Sequence, residues 1–453
     1  MNGISGPRRE RAYSIVELMV ALLVTIVVIG GAYTLLQSGT DFATEQQGRI
    51  QMQESARGAF DVLAEFSRSA GFGGLPVDHA ALPMPEGVAL AVRNNLENSK
   101  IISGSTSPDV PSVLDETDVL IIRGSLDDQT IYRFSTDPTT AFVLDSVDDT
   151  EGDLYLFENL PSGQTQDLSN LRDAVDDAKS DAGRAAVPEA LLVASSFDPE
   201  VYCILQLDPD RSDTTLTDRL KLRVLMPSTV TTRVANEYQT LCPGKVFPDI
   251  LLERLQQTNH GPGEIFALGT LTLLQERRFY IRPTDESENE HPVLPPLPML
   301  SSARVLPGTE IPYRNDNDNL REDVAIGLID FQVELGFDTG NGGGNWQAGS
   351  PILEVSDGTV ADDWLFNHPS DDATKTPWAN RGINDPEPLF QYLRLRLVAL
   401  TDHVDRRHLA GELTRVADHV YDDGHIYNQS PYSTLRRLEL VTTIDVRNLR
   451  RYR

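Results

Sequence analysis

The sequence predicts an α+β protein, in which a long N-terminal helix packs on an antiparallel, β-rich ectodomain with large loop insertions. Three observations predict it. Leu18 to Thr40 holds no charged residue. Met52, Ala56, Phe60 and Leu63 then recur at helical spacing and form one apolar stripe. Beyond Gly74, several segments alternate apolar and polar residues with the period of two that marks half-buried strands. Strands do not alternate with long helical patterns, which argues against a parallel sheet.

The helix comes first. A run of about 20 apolar residues crosses a bilayer, and Arg8, Arg9 and Arg11 precede the run here. Basic residues before the span and acidic ones after it place the N-terminus in the cytoplasm. Residues 18–36 are therefore expected to span an inner membrane, with 73–453 periplasmic or extracellular. A cleavable secretory signal fits less well. The apolar run exceeds the roughly 7–15-residue core of a signal peptide, Glu17 stands just inside its start, and no small-x-small site closes it. The Met52–Leu63 stripe continues the helix as an amphipathic segment that docks the ectodomain, and Gly71-Phe72-Gly73-Gly74 stops it. From Tyr13 to Ala70 such a helix would extend roughly 85 Å at about 1.5 Å per residue.

Glu17 is the informative residue. A carboxylate at the edge of a membrane helix is costly to bury unless a partner neutralises it. Cleavage between Ala12 and Tyr13 would create an α-amino group four residues before Glu17. In a bundle of such helices, one subunit's amine could then pair with its neighbour's Glu17 and set the axial stagger. The stretch Tyr13-Ser14-Ile15-Val16-Glu17-Leu18-Met19-Val20-Ala21 resembles the type IV prepilin family, although Ala12 stands where that family usually has Gly. The segments Gln53–Phe60, Ser69–Phe72 and Arg436–Asn448 are similar to the PilW family of type IV pilus minor pilins. The resemblance implies a pilin-like fold, a leader of residues 1–12 removed by a prepilin peptidase, N-methylation of Tyr13 and subunit registration by Glu17. It implies a minor pilin that helps prime assembly and present the pilus tip. The partners would be other minor pilins, the major pilin and a PilY-type tip adhesin. A type II secretion pseudopilin of the J class shares the leader and helix and is the first alternative, although its ectodomain is typically much smaller. A membrane-tethered periplasmic hydrolase or sensor is the second.

The helix is assigned to residues 13–72 and the ectodomain to 73–453. In the ectodomain, Ile329, Phe331, Val333, Leu335 and Phe337 interleave with Asp330, Gln332 and Glu334. Leu220 to Val224, Leu393 to Leu397 and Leu438 to Val446 repeat the pattern, so antiparallel sheets with one wet face are expected. Asp167 to Ala186 reads as a weak, solvated helix rich in Asp and Ala. An acidic run followed by a Pro-rich one near 284–300 reads as an extended loop or as a boundary between two lobes. Residues 338–388 read as one long insertion, where binding variation would concentrate.

Composition narrows the chemistry. With 39 Lys and Arg against 68 Asp and Glu, the formal charge of −29 repels phosphate backbones, so no nucleic-acid role is expected. Cys203 and Cys242 are the two cysteines, too few for structural zinc, and an oxidising compartment would let them form a disulfide. Asn315-Asp316-Asn317-Asp318-Asn319 supplies hard oxygens, so calcium at Asp316 and Asp318 is one reading. The EF-hand Gly and Glu positions are unmatched, and an Asn/Asp turn is the plainer reading. The chain has no G-x-S-x-G elbow, H-E-x-x-H helix or Walker A loop, and the expectation is a non-enzyme without a required cofactor.

Overall fold

The structure is a computed structural model. It describes residues 14–73, 89–96, 114, 117–126, 130–135, 142–144, 151–160, 163–180, 190–195, 202–225, 268–282, 297–305, 321–338, 364–365, 389–404, 413–417, 419–421, 429 and 432–446. Helix α1 runs Ile15–Ser69. Only its second half is covered. Gly48, Met52, Ala56, Ala59, Leu63 and Ala64 are buried; of the stripe read from the sequence spacing, Met52, Ala56 and Leu63 are among them and Phe60 is half-buried against the same core.

That stripe rests on two antiparallel sheets. One has four strands in the order β13 (Trp364–Leu365), β12 (Leu328–Asp338), β14 (Leu389–Val404), β17 (Leu435–Asp445). The other is organised around β9 (Leu268–Arg282), which changes partners along its length. Its second half lies between β2 (Thr117–Gly124) and β10 (Met299–Val305), in register Leu120 with Phe279 and Met299 with Arg282. β1 (Leu90–Leu96) and β11 (Arg321–Ile326) extend this half outward. Leu120, Ile122, Phe279, Ile281, Phe331, Val333, Leu335, Leu393, Leu395 and Leu397 meet the helix stripe in one core. Antiparallel sheets under a single long helix are the α+β arrangement expected from the sequence.

The first half of β9 belongs to a second core. It pairs with β3 (Tyr132–Ser135) and β6 (Ala190–Ser195), and the path continues through β7 (Tyr202–Asp213), β8 (Arg219–Leu225), β5 (Glu151–Phe157) and β4 (Phe142–Leu144). Alternate residues Leu154, Leu156, Leu205, Leu207, Leu220, Leu222, Val224, Leu271 and Leu273 fill the interior. β3 and β5 curl toward each other, and the Gln166 side chain closes the seam. Its Nε2 donates to Arg133 O at 2.7 Å and Phe157 O at 2.8 Å, and its Oε1 accepts from Arg133 N at 2.8 Å. One amide thus does what a neighbouring strand would do for an edge.

Helix α2 (Ser169–Ser180) covers this core with Leu171 and Val175, joined by Leu168 just before it. The solvated helix expected at Asp167–Ala186 is corrected in this respect. Leu168, Leu171 and Val175 share one side at helical spacing, and three apolar residues suffice to seat a short helix. Of the segment 284–300, in which a lobe boundary was expected, residues 284–296 lie outside the described residues. On either side of it, β9 and β10 are adjacent strands of one sheet, and the two cores meet along β9.

Buried ion pairs tie these layers together. Glu276 is fully buried between Arg123 and Arg278, with Arg123 Nε 2.6 Å from its Oε2. Burial alone would raise its pKa, but the two guanidinium charges outweigh that and hold it at about 2. The same Arg123 offers its carbonyl to Gly71 N at 2.9 Å, just past the helix end. Gly124 has to lack a side chain here, because a Cβ would stand 2.7 Å from Ser69 O.

The face of β12 expected to be wet is dry. Asp330, Gln332 and Glu334 are all buried, with Glu334 held by Arg394 and Arg396 of β14. A bulge between Leu328 and Asp330 shifts the register, so Ile329 leaves the main core for the opposite side. Asp118 of β2 accepts from Val333 N at 2.7 Å and stitches the two sheets together.

Candidate functional site

From Ile15 to Phe42, α1 has no covering. Ile15 is 79% exposed, Leu18 63%, Tyr33 68% and Phe42 62%, and among the described residues none before Gly48 is buried. In a large acidic protein such a surface is unstable in water and demands lipid or protein around it. This half of the helix is long and apolar enough to cross a membrane, by length and composition. Ile15 to Leu36 would span about 33 Å, close to the roughly 30 Å of a bilayer's hydrocarbon layer.

Three threonine hydroxyls on this rod are satisfied locally. Thr25, Thr34 and Thr40 each donate their hydroxyl to the carbonyl four residues earlier, at 2.7, 2.8 and 2.8 Å. A hydroxyl bonded to its own helix can enter lipid without an unmet donor. At the front end Ser14 is the N-cap. Its Oγ accepts from Val16 N at 3.3 Å, and the Glu17 carboxylate accepts from Ser14 N at 3.1 Å. The pair forms a capping box, with the carboxylate folded back toward the helix start, where the helix dipole stabilises negative charge.

The rear end of the rod is clamped. Glu45 receives Arg436 of β17 at 2.7 Å and Arg49 at 3.1 Å. One turn on, Gly48 brings the helix against Thr401 of β14, whose Cγ2 would be 3.4 Å from an added Cβ. Ser55 Oγ donates to Ile326 O at 2.9 Å, and the Arg277 guanidinium lies 4.4 Å from the Phe66 ring centre. These contacts fix where the uncovered rod leaves the folded domain.

Of the residues singled out from sequence, Glu17 lies at the start of this rod. Ala12, Tyr13, Cys242, Asp316 and Asp318 lie outside the described residues. Cys203 is on β7, opposite Val193 of β6. Among the described residues, no group of three or more His, Cys, Asp or Glu is placed to hold a metal. Sequence reasoning missed Ser14, although Ser14-x-x-Glu17 ahead of an apolar run is the capping-box signature. The Glu45–Arg436 clamp left no local signal, because its partners lie almost a full chain apart.

No family model matches the chain, and no curated protein matches it. Among solved structures, a type IV-like pilin from Thermus thermophilus aligns with 12% identity and a TM-score of 0.18. The alignment covers 62% of this chain and 96% of that one.

Proposed function

We propose that the protein is a minor pilin of a type IV pilus, a structural subunit that helps prime filament assembly and present the tip. The observation that carries this reading is the uncovered apolar half of α1, headed by a lone carboxylate at Glu17. A simple membrane anchor needs the apolar surface, and beyond capping the helix start it has no use for an acid at its entrance. In a filament the surface is buried twice, first by lipid and then by the helices of neighbouring subunits.

In this reading residues 1–12 are a leader, a prepilin peptidase cuts between Ala12 and Tyr13, and the new Tyr13 amine is N-methylated. That amine meets Glu17 of an adjacent subunit, which neutralises both charges and sets the stagger. The subunit waits in the inner membrane as a single-pass protein and then moves to the pilus tip. There it contacts other minor pilins, the major pilin and a PilY-type adhesin. The work is mechanical, with no catalytic step and no required cofactor. Cys203 and Cys242 are proposed to form a disulfide, and calcium at Asp316 and Asp318 is proposed as an accessory ligand.

Two measurements test it. Intact mass of the membrane-extracted protein should show loss of residues 1–12 and one added methyl group. Glu17→Ala should still insert in the membrane but be depleted from sheared filaments. Recovery of the variant in filaments at the native level would remove Glu17 from registration, and a chain still beginning at Met1 would exclude the pilin reading.

A further inference from the structure

Residues 415–416 and 419–420 form a hairpin of two-residue strands, β15 (Arg415–Val416) and β16 (His419–Val420). The strands pair with each other and form a sheet of their own, separate from the four-stranded one. The hairpin lies across the face of that sheet opposite α1, over a satellite core of Ile329, Val398, Leu400, Tyr421, Tyr432 and Leu435.

Two features of the hairpin oppose each other. Asp330, fully buried at the β12 bulge, is the polar anchor. It accepts a hydrogen bond from the Tyr421 hydroxyl and lies 3.1 Å from His419 Nδ1, and the two rings stack with centres 4.0 Å apart. Against the anchor works the turn. Val416 pairs with His419, which leaves two residues for the reversal, and Ala417 there has φ of 51°. Such tight turns call for Gly or Asn at positive φ, and an alanine held there is strained. Ala417 is the non-glycine residue with positive φ among the described residues.

The sheet positions under the hairpin adjoin the helix exit. Leu400 precedes Thr401, which touches Gly48 and whose Oγ1 accepts from Arg436 N. Leu435 precedes Arg436, the partner of Glu45. We propose that this hairpin is a releasable strap, a locally opening element that steadies the ends of β14 and β17 on which the emerging helix rests. Strain in the turn drives release, and the Asp330 anchor restrains it. A hairpin of two-residue strands that shares no ladder with the sheet and rests on a small satellite core opens at lower free energy than the sheet beneath.

Hydrogen exchange followed by mass spectrometry on the full chain in detergent micelles tests this. In the unmodified protein, amides of 415–421 should exchange ahead of those in the central parts of β12 and β14. Tyr421→Phe and Asp330→Asn should speed exchange in the strap about tenfold while the sheet centre holds. Ala417→Gly, which relieves the turn, should slow it about fivefold. Peptides covering Glu45 to Met52 should follow the strap in each variant. Strap and sheet exchanging together in every variant would overturn the proposal, as would faster exchange in Ala417→Gly. Should Asp330→Asn fail to fold, Tyr421→Phe and Ala417→Gly decide the matter alone.

Discussion

Glu276 makes the fold's acid tolerance a quantity that can be worked out. Its folded pKa of about 2 compares with an ordinary 4.5, because Arg123 and Arg278 favour the charged form more than burial opposes it. A depressed carboxylate contributes stability that is complete above the ordinary value and is lost as pH falls toward the folded one. The gap corresponds to about 3 kcal/mol at neutral pH, of which about 2 kcal/mol is gone by about pH 3. The perturbation is Glu276→Gln, which keeps the shape and removes the titration. At about pH 6 it should cost about 3–5 kcal/mol, since two buried guanidinium groups lose their counter-charge. Urea unfolding of the full chain in micelles, repeated from about pH 6 to about pH 3, gives both numbers. Other carboxylates also titrate in that window, so the decisive quantity is the difference between the two slopes. The variant should lose about 2 kcal/mol less than the parent across it. Parallel slopes would refute the view that the arginines hold Glu276 ionised.

Three further outcomes are expected. Leu63→Ala, at a fully buried position of the helix stripe, should lower stability by about 2–5 kcal/mol in the same unfolding assay, through cavity formation. Gln166→Leu should open the β3–β5 seam and cost about 1–3 kcal/mol, with faster exchange at the Arg133 amide as its local mark. Glu45→Gln, which weakens the clamp by Arg436, should leave the melting temperature within about 2 °C, because a partly exposed pair contributes about 0–1 kcal/mol. It should nevertheless widen the distance distribution between spin labels on α1 and β17.

Local chemistry decided how much of this was legible in the sequence. The helix's apolar span and glycine stop were read because each depends on neighbouring residues, Leu18 to Thr40 and Gly71 to Gly74; the Ser14–Glu17 cap is just as local but was passed over. Strand alternation was equally plain for Leu393 to Leu397 and Leu220 to Val224. What failed was any inference about the second face. Asp330, Gln332 and Glu334 read as solvent-facing, since nothing local to β12 reveals Arg394, Arg396 or the Tyr421 hydroxyl waiting across the fold. The bulge at Ile329 was invisible for the same reason, because a register slip is a property of two strands. In the candidate site, Glu17 stood out for its cost in a membrane, while Glu45 and Arg436 looked like ordinary surface charges.

The path of β9 constrains how the two cores can move. A boundary made of linker would let one core swing against the other at little cost. Here a single strand of 15 residues pairs with β3 and β6 at one end and with β2 and β10 at the other. Any hinge would have to break ladder hydrogen bonds near Gln275 and Glu276, where the Arg123–Glu276–Arg278 ion pairs are also buried. Arg123 in turn offers its carbonyl to Gly71 at the end of α1. The second core is therefore tied to the helix through continuous backbone and buried charge. A load applied along the uncovered rod reaches that core through β9, without a flexible joint intervening along that path. This predicts that the pH-dependent loss at Glu276 is felt by both cores together, so acid should melt α2 and the helix-docking sheet in one transition.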